Sequence, residues 1–430
     1  MQIVDTALAQ RAQNRQPLQV GVFGAGAMAR GFINQIMRYM PGMTVGVLCN
    51  RTIETARNVL NEAGVSDSDI VEVGTAEQAD AAIEAGKTAI TSDPNVLVGA
   101  GRVEVCIEAT GHVEYGAQVT LATIEHGKSM VYMNAELDGT IGPLLKKKAD
   151  AAGVILSGCD GDQPGVVLNL HRFVTSIGMV PRVLGNIKGM QDRYRNPTTQ
   201  AAFAKQWQQT PHMVTSFADG TKISFEQAIT ANATGMKVAQ RGMIGIEYDG
   251  HVDEMTNMFD LDQIRELGGI VDYVIGTKPS PGVFIFAEAQ DDLQKHYMKY
   301  SKLGDGPLYS FYVPYHLMVF EVPLSAARIA LCNDVIIAPQ DGPMVDVIAL
   351  AKTDLKAGET LDGLGWYMTY GVCENYETVR KNRLLPMGIA EGAVLTRDVK
   401  KDQALTYDDV ILPTNLTNKL RAEQDALFPI

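Results

Sequence analysis

The stretch Gly24-Ala25-Gly26-Ala27-Met28-Ala29 has the spacing G-x-G-x-x-A, which suits chemistry at a pyrophosphate. The first glycine permits a tight strand-to-helix turn, and the second lets the backbone approach the phosphates. The small third residue lets the helix pack close to the strand, with its N-terminus facing the anion. A residue facing an adenosine ribose belongs about 20 residues further on. Asn50 and Arg51 stand there in place of a carboxylate. A carboxylate would repel a 2′-phosphate, whereas Arg51 can pair with one, which points to NADP over NAD; it reads otherwise as a surface arginine before a helix. Later in the chain, Lys188, Asp192, Arg193 and Arg195 crowd into one short stretch, "KGMQDRYR". Arginines take an oxyanion in two-pronged fashion, so this cluster suits an anionic substrate, or else a solvated helix start. In "ATGMKVAQRGM", Lys237 and Arg241 are four residues apart, on one face of an expected helix where small neighbours would let a ligand come close. The plain reading there is an exposed basic face.

These residues need elements to position them. Gln19–Phe23 reads as a buried strand, Met28–Tyr39 as a helix and Thr44–Cys49 as a second strand. Strand and helix then alternate: Val103–Ala109, Tyr115–His126, Ser129–Met133, Ile141–Ala152 and Val154–Leu156. That alternation predicts a parallel sheet with crossovers, whose ligands sit at the carboxyl ends of the strands. Two such ends stand out. "EATGH" offers the small residues Ala109, Thr110 and Gly111 for close approach to a cofactor. "MNAEL" offers Asn134 and Glu136, which reach a nicotinamide ribose or substrate, or cap the following helix. Arg182–Gly189 reads as a strand leading into the basic stretch, with "NPTT" starting a helix after it.

Bulk properties bound the rest. A chain of 430 residues exceeds one usual core, so two or three domains are expected. A net charge of −13 disfavours nucleic acid or an anionic membrane as partner, while leaving room for a local basic site. No basic-then-apolar leader opens the chain and no apolar run is long enough for a span, so a cytoplasmic protein is expected. Five cysteines without a C-x-x-C pair suit reduced thiols. Asp160, Asp162, Glu247, Asp253 and Glu254 are possible ligands for a divalent metal, with "GHVDE" around His251 reading equally as a polar loop. No spacing among them fixes a metal. After "PQDGP" the composition shifts to short strands with glycine turns.

"VEVCIEATGHVEYGA", "GKSMVYMNAE" and "GDQPG" resemble the homoserine dehydrogenase-like oxidoreductases, with a departure at Ala135 and Glu136, where homoserine dehydrogenase has a lysine after the asparagine. "GNIKGMQDRYRNPTTQ", "ANATGMKVAQRGM", "GPLYSFYVPYHL" and the C-terminal phrases resemble the branch of 1-deoxy-D-xylulose 5-phosphate reductoisomerase-like proteins with a SAF module. The resemblance implies an α/β chain in three parts. A Rossmann dinucleotide-binding domain would span 1–165, and a central α+β catalytic and dimerisation domain 166–340, its last helix returning to the first. A SAF-like β-clip module would span 341–430. It also implies an NADPH-dependent oxidoreductase on a CH–OH group, a homodimer serving isoprenoid precursor synthesis by making 2-C-methyl-D-erythritol 4-phosphate. Cofactor contacts would come from Gly24, Gly26, Ala27, Met28, Asn50, Arg51, Ala109, Thr110, Gly111, Asn134 and Glu136. By the same resemblance Lys237 takes the place of a lysine near the substrate and is assigned as proton donor or electrostatic catalyst. Lys188 and Asp192 orient the substrate, and Arg193, Arg195 and Arg241 hold its anionic end. Two alternatives stand beside this: a plain dehydrogenase of a homoserine-like compound or sugar acid, and a dinucleotide-sensing protein without catalysis, which the retained basic residues disfavour.

Overall fold

The computed structural model describes residues 4–430, which form two compact units. The first comprises residues 4–137, Leu144–Asp162 and Leu317–Ala338; the second comprises Asp138–Pro143, Gln163–His316 and Pro339–Ile430. No described helix is long and apolar enough to cross a membrane.

In the first unit the chain runs α1 (Val4–Gln13), β1 (Leu18–Phe23), α2 (Ala27–Tyr39), β2 (Met43–Cys49), α3 (Ile53–Glu62) and β3 (Ile70–Glu72). It continues through α4 (Ala76–Glu84), β4 (Thr88–Thr91), α5 (Pro94–Gly99), β5 (Val105–Glu108), α6 (Val113–Glu125), β6 (Ser129–Tyr132), α7 (Ala135–Ala152) and β7 (Leu156–Gly158). The seven strands make one parallel sheet in the order β3-β4-β2-β1-β5-β6-β7. Strand order reverses about β1, which lies between β2 and β5, and such a reversal opens a crevice at the strands' carboxyl ends. Helix α2 forms because Ala29, Phe32, Ile33 and Ile36 recur at helical spacing and bury one face. A late segment closes this unit. Helix α14 (Met318–Cys332) packs against α1, α2, β5 and β6, so closely that a Cβ on Gly31 would stand 2.7 Å from the Val319 side chain.

The second unit holds a mixed sheet in the order β12-β11-β8-β10-β9, built from β8 (Val180–Lys188), β9 (Ile246–Glu247), β10 (Ile270–Ile275), β11 (Gly282–Glu288) and β12 (Leu308–Val313). Strands β8, β9 and β10 are parallel, and β11 runs against both β8 and β12. On one face lie α8 (Gln163–Ser176) and α11 (Thr221–Thr234). On the other, Val252, Met255, Phe259 and Ile264, the last from α12 (Leu261–Leu267), pack on Val183, Ile187, Val274, Phe284 and Phe286. Helices α9 (Pro197–Gln206) and α10 (Pro211–Ala218) follow the loop after β8, and α13 (Asp292–Tyr300) is an exposed helix. The "NPTT" start is a capping box in which Asn196 and Thr199 bond each other's backbone.

Residues beyond 340 do not separate as a third unit but belong to the second. They form small antiparallel pairs, β13 (Val345–Ala351) with β14 (Thr369–Asn375), and β15 (Val394–Leu395) with β16 (Val410–Ile411). Helices α15 (Tyr376–Lys381) and α16 (Leu416–Leu427) complete them. A small β region is therefore present; the narrower β-clip assignment rests on sequence phrases alone.

Two expectations change. Helix α7 begins at Ala135, not Ile141, because the Asn134 side chain caps it by accepting from the Leu137 N–H at 3.1 Å. Helix α11 ends at Thr234, so Lys237 and Arg241 are not on a helix. Gly235 takes a left-handed φ of +75° and stops it. Lys237 then runs extended beside β10, its N–H donating to the Gly269 carbonyl at 3.3 Å and its carbonyl accepting from the Val271 N–H at 2.9 Å.

Candidate active site

At the crevice beside β1, the turn after the strand is shaped for close approach. Gly24 has φ +99°, and a Cβ there would lie 3.0 Å from the Ala109 carbonyl oxygen. Only glycine meets both demands. Gly26 caps the N-terminus of the 13-residue helix α2, and a Cβ on it would meet nothing within 4 Å. Ala29 is fully buried, the small residue that seats the helix. An open face over a helix N-terminus, with free N–H groups pointing outward, fits the pyrophosphate of a dinucleotide. Ala27 and Met28, the first helical residues, border that face. At the end of β2, the Asn50 side chain donates to the Thr52 carbonyl at 2.9 Å, while Arg51 is exposed and forms no ion pair or hydrogen bond among the described residues.

The turn after β5 is fixed from below by a residue that the sequence reading passed over. Glu108 is fully buried; its Oε1 accepts from the Thr110 N–H at 2.8 Å and from the Thr110 hydroxyl. Burial pushes its carboxyl above the usual range, and Oε2 makes no hydrogen bond among the described residues. This holds Ala109, Thr110 and Gly111 (φ +70°) in the crevice beside Gly24. The readable signal was a carboxylate ending an apolar strand, "VCIE". Asn134 is buried and spends its side chain on structure: besides the cap, its Nδ2 donates to the His112 carbonyl at 3.1 Å. Glu136 is buried in the first turn of α7.

In the second unit, Lys188 ends β8, partly buried, on the same face as Asn186, whose Nδ2 donates to Gln163 at 2.7 Å and to Glu226 at 2.8 Å. The loop that follows carries the charged cluster. Asp192 pairs with the Arg195 Nε at 3.1 Å, Arg193 lies 5.8 Å over the Tyr370 ring, and Arg193 forms no ion pair among the described residues. The terminal nitrogens of Arg195 make no hydrogen bond among those residues.

Lys237 and Arg241 stand apart from this loop. β10 pairs Ile275 with Lys188 at one end, while Lys237 bridges Ile270 at the other. Five residues of strand separate the two paired positions by about 16 Å along β10. Lys237 faces Glu377 at 3.9 Å, and Arg241 is bound to Glu374 at 2.7 Å, so its charge is already matched. The turn that holds Arg241 is anchored by Asp272, fully buried, which accepts from the N–H groups of Ile244 (3.0 Å), Gly245 (2.9 Å) and Tyr273 (2.7 Å). Burial outweighs those donors and pushes its pKa up to about 6. Because the folded state holds this proton more tightly, Asp272 favours folding below the unfolded value near 4, and that contribution is lost as pH rises through 6. Urea unfolding of the parent should therefore lose about 2–3 kcal/mol relative to Asp272→Asn between pH 4 and 6.5. A difference flat across that window would show the carboxylate to be ionised throughout.

Among the described residues no group of three His, Cys, Asp or Glu side chains is placed to hold a metal. Asp160 is ion-paired with Arg328 at 2.5 Å, and His251 and Glu254 close a capping box around Val252–Asn257.

Residues 161–322 match the family described as oxidoreductase DRL, catalytic domain. The chain carries an oxidoreductase catalytic domain. The match includes Lys188, Asp192, Arg193, Arg195, Lys237 and Arg241. No curated protein matches the sequence. Among solved structures, a "probable dehydrogenase" from Thermotoga maritima is 12% identical, with a TM-score of 0.41 over 74% of this chain and 90% of its own. Myo-inositol 2-dehydrogenase from Lactobacillus plantarum is 10% identical, with a TM-score of 0.36 over 64% and 75%. Myo-inositol dehydrogenase from Lactobacillus casei, solved with NAD(H) and myo-inositol, is 13% identical, with a TM-score of 0.31; the chain spans 49% of that protein and 42% of itself is covered.

Proposed function

We propose that this oxidoreductase is a dehydrogenase that uses a nicotinamide dinucleotide, NADPH by preference, to interconvert a hydroxyl and a carbonyl on a small anionic compound. The observation that carries the reading is the open face of Gly26 at the N-terminus of α2, beside the β1/β5 strand reversal. The nucleotide, when bound, supplies or accepts the hydride. The chain supplies the rest. Gly24, Gly26 and the first turn of α2 bind the pyrophosphate, and Arg51, with no partner of its own among the described residues, meets a 2′-phosphate. Lys188 at the end of β8 stabilises negative charge on the carbonyl oxygen or delivers its proton, and Arg193 and Arg195 hold the anionic end of the substrate. Lys188 replaces Lys237 in this role, because Lys237 lies at the far end of β10 from the charged loop.

Reduction coupled to a carbon-skeleton shift, as in the reductoisomerase resemblance, has no support from the family match. The plain dehydrogenase is the reading that the oxidoreductase match favours. A test follows nicotinamide absorbance with NADPH and NADH over a panel of aldonates, homoserine and 1-deoxy-D-xylulose 5-phosphate. Turnover with a hydroxy acid and none with the xylulose phosphate is expected. Product carrying a rearranged skeleton would overturn the reading. In the same assay Arg51→Ala should raise the KM for NADPH about tenfold and leave that for NADH alone; equal changes would remove the 2′-phosphate assignment.

A further inference from the structure

The loop that carries Asp192, Arg193, Tyr194 and Arg195 is irregular, yet each of these residues is fastened, and most of the fastenings come from residues beyond 340. The Asp192 N–H donates to the Ala218 carbonyl at 2.8 Å. Arg193 lies over the ring of Tyr370. The Tyr194 hydroxyl donates to Asp402 Oδ2 at 2.8 Å, and the Tyr370 hydroxyl donates to Oδ1 of the same carboxylate at 2.8 Å. The Lys401 ammonium sits 3.5 Å from the centre of the Tyr194 ring. Lys352, on the segment just after β13, is 6% exposed and donates to three acceptors: the Arg195 carbonyl at 2.8 Å, Asp219 Oδ2 at 2.8 Å and the Trp366 carbonyl at 2.9 Å. All three ammonium protons are thereby used, and Asp219, 1% exposed, has its charge matched.

Such an arrangement costs more than a loop needs merely to exist. Burying a lysine and an aspartate forfeits much of each ion's hydration, which good geometry only roughly offsets. What the pair achieves is placement. Lys352 fixes the backbone at Arg195 and Asp402 fixes the side chain at Tyr194, so Arg193, just before Tyr194, and Arg195, just after it, present guanidinium groups at set positions. Arg193 has no ion pair, and Arg195 keeps its terminal nitrogens unbonded, among the described residues. Two pre-set guanidinium groups pay little side-chain entropy when they close on a tetrahedral oxyanion.

We propose that Lys352 and Asp402 are positioning residues for an oxyanion subsite formed by Arg193 and Arg195, so that the C-terminal segment sets the affinity for the anionic end of the substrate. The proposal rests on the reading of that loop as the anion-holding part of the site. The test uses the full chain and inorganic phosphate as probe, with binding followed by titration calorimetry, and NADPH affinity and melting temperature measured beside it. Arg193→Ala and Arg195→Ala should each weaken phosphate binding about tenfold. Tyr194→Phe and Asp402→Asn, at exposed positions where the fold is not at stake, should each weaken it about threefold, and their combination no more than Asp402→Asn alone, because Tyr194→Phe removes one of the two bonds that this carboxylate accepts. Lys352→Met made together with Asp219→Asn leaves no buried charge unmatched and should weaken it to a similar or greater degree, with NADPH affinity unchanged. A loop that is held only for stability would shift the melting temperature and leave phosphate affinity alone. If the arginine variants weaken binding while the Tyr194, Asp402 and Lys352 variants do not, the positioning role is overturned and the anion reading survives. If the arginine variants bind phosphate like the parent, the anion reading itself falls, and the subsite with it.

Discussion

Gly26→Val is expected to bind NADPH at least about 100-fold more weakly than the parent while unfolding within about 1 kcal/mol of it. The two halves of this result have separate causes. Nothing lies within 4 Å of a Cβ built on Gly26, and its backbone, at φ −76° and ψ −175°, is one that valine adopts. The substitution therefore meets no protein atom, and its structural cost is that of a poor residue at a helix N-cap. The same empty space is where a pyrophosphate must come to reach the free N–H groups of α2, and two methyl groups would occupy it. Gly24→Val is the contrasting control. With φ at +99° and the Ala109 carbonyl oxygen 3.0 Å away, it should lose stability as well as affinity. Fluorescence titration of NADPH together with thermal melting checks both. Normal binding by a folded Gly26→Val protein would mean that the turn only joins a strand to a helix.

A second large effect is expected at Arg421→Leu, which should cost about 3–5 kcal/mol of stability in chemical unfolding. Arg421 lies on α16 with its side chain 2% exposed. It is bound to Asp346, itself 3% exposed, donates to Asp425 at 3.0 Å, and reaches the Thr140 carbonyl at 3.2 Å. Burial already drives the Asp346 carboxyl above its usual range, against the pull of the guanidinium. Without that guanidinium a buried charge has no counterpart, and the protein must either keep it at great cost or bind a proton. Asp346→Asn in the same chain keeps the bond from the Val347 N–H, at 3.0 Å, and should recover much of the loss. A loss below about 1 kcal/mol for Arg421→Leu alone would show that water reaches the pair.

The glycine turn after β1 was readable because its constraint is local: a positive φ and a close carbonyl demand glycine at 24, whatever the rest of the chain does. The parallel sheet was readable for a similar reason, through apolar runs such as "VGVF" and "VCI" that are buried on both sides. Strands β3 and β4 were missed, at three and four residues too short to show a period. The stop at Gly235 has a legible sign, a glycine after an alanine-rich helix, but the small residues on either side fit a continuing helix equally well. The network around Lys352 could not be read at all. Its partners Arg195, Asp219 and Trp366 are dispersed along the chain, and 133 residues separate Lys352 from Asp219. Nothing in a neighbourhood of sequence marks a lysine as buried when its three acceptors are brought by distant loops.

The placement of α14 bears on how the protein is made. It covers α2, β5 and β6 of the first unit, yet it begins at Met318, after nearly all of the second sheet has been translated. At about 5–20 residues per second, more than 150 residues must emerge between β7 and that helix, a delay of roughly 10–30 seconds. During this interval the nascent first unit shows water the apolar surface that Val322, Ala326 and Ile329 will later bury. A ribosome-bound chain halted before residue 317 is thus an incomplete domain with a sticky flank.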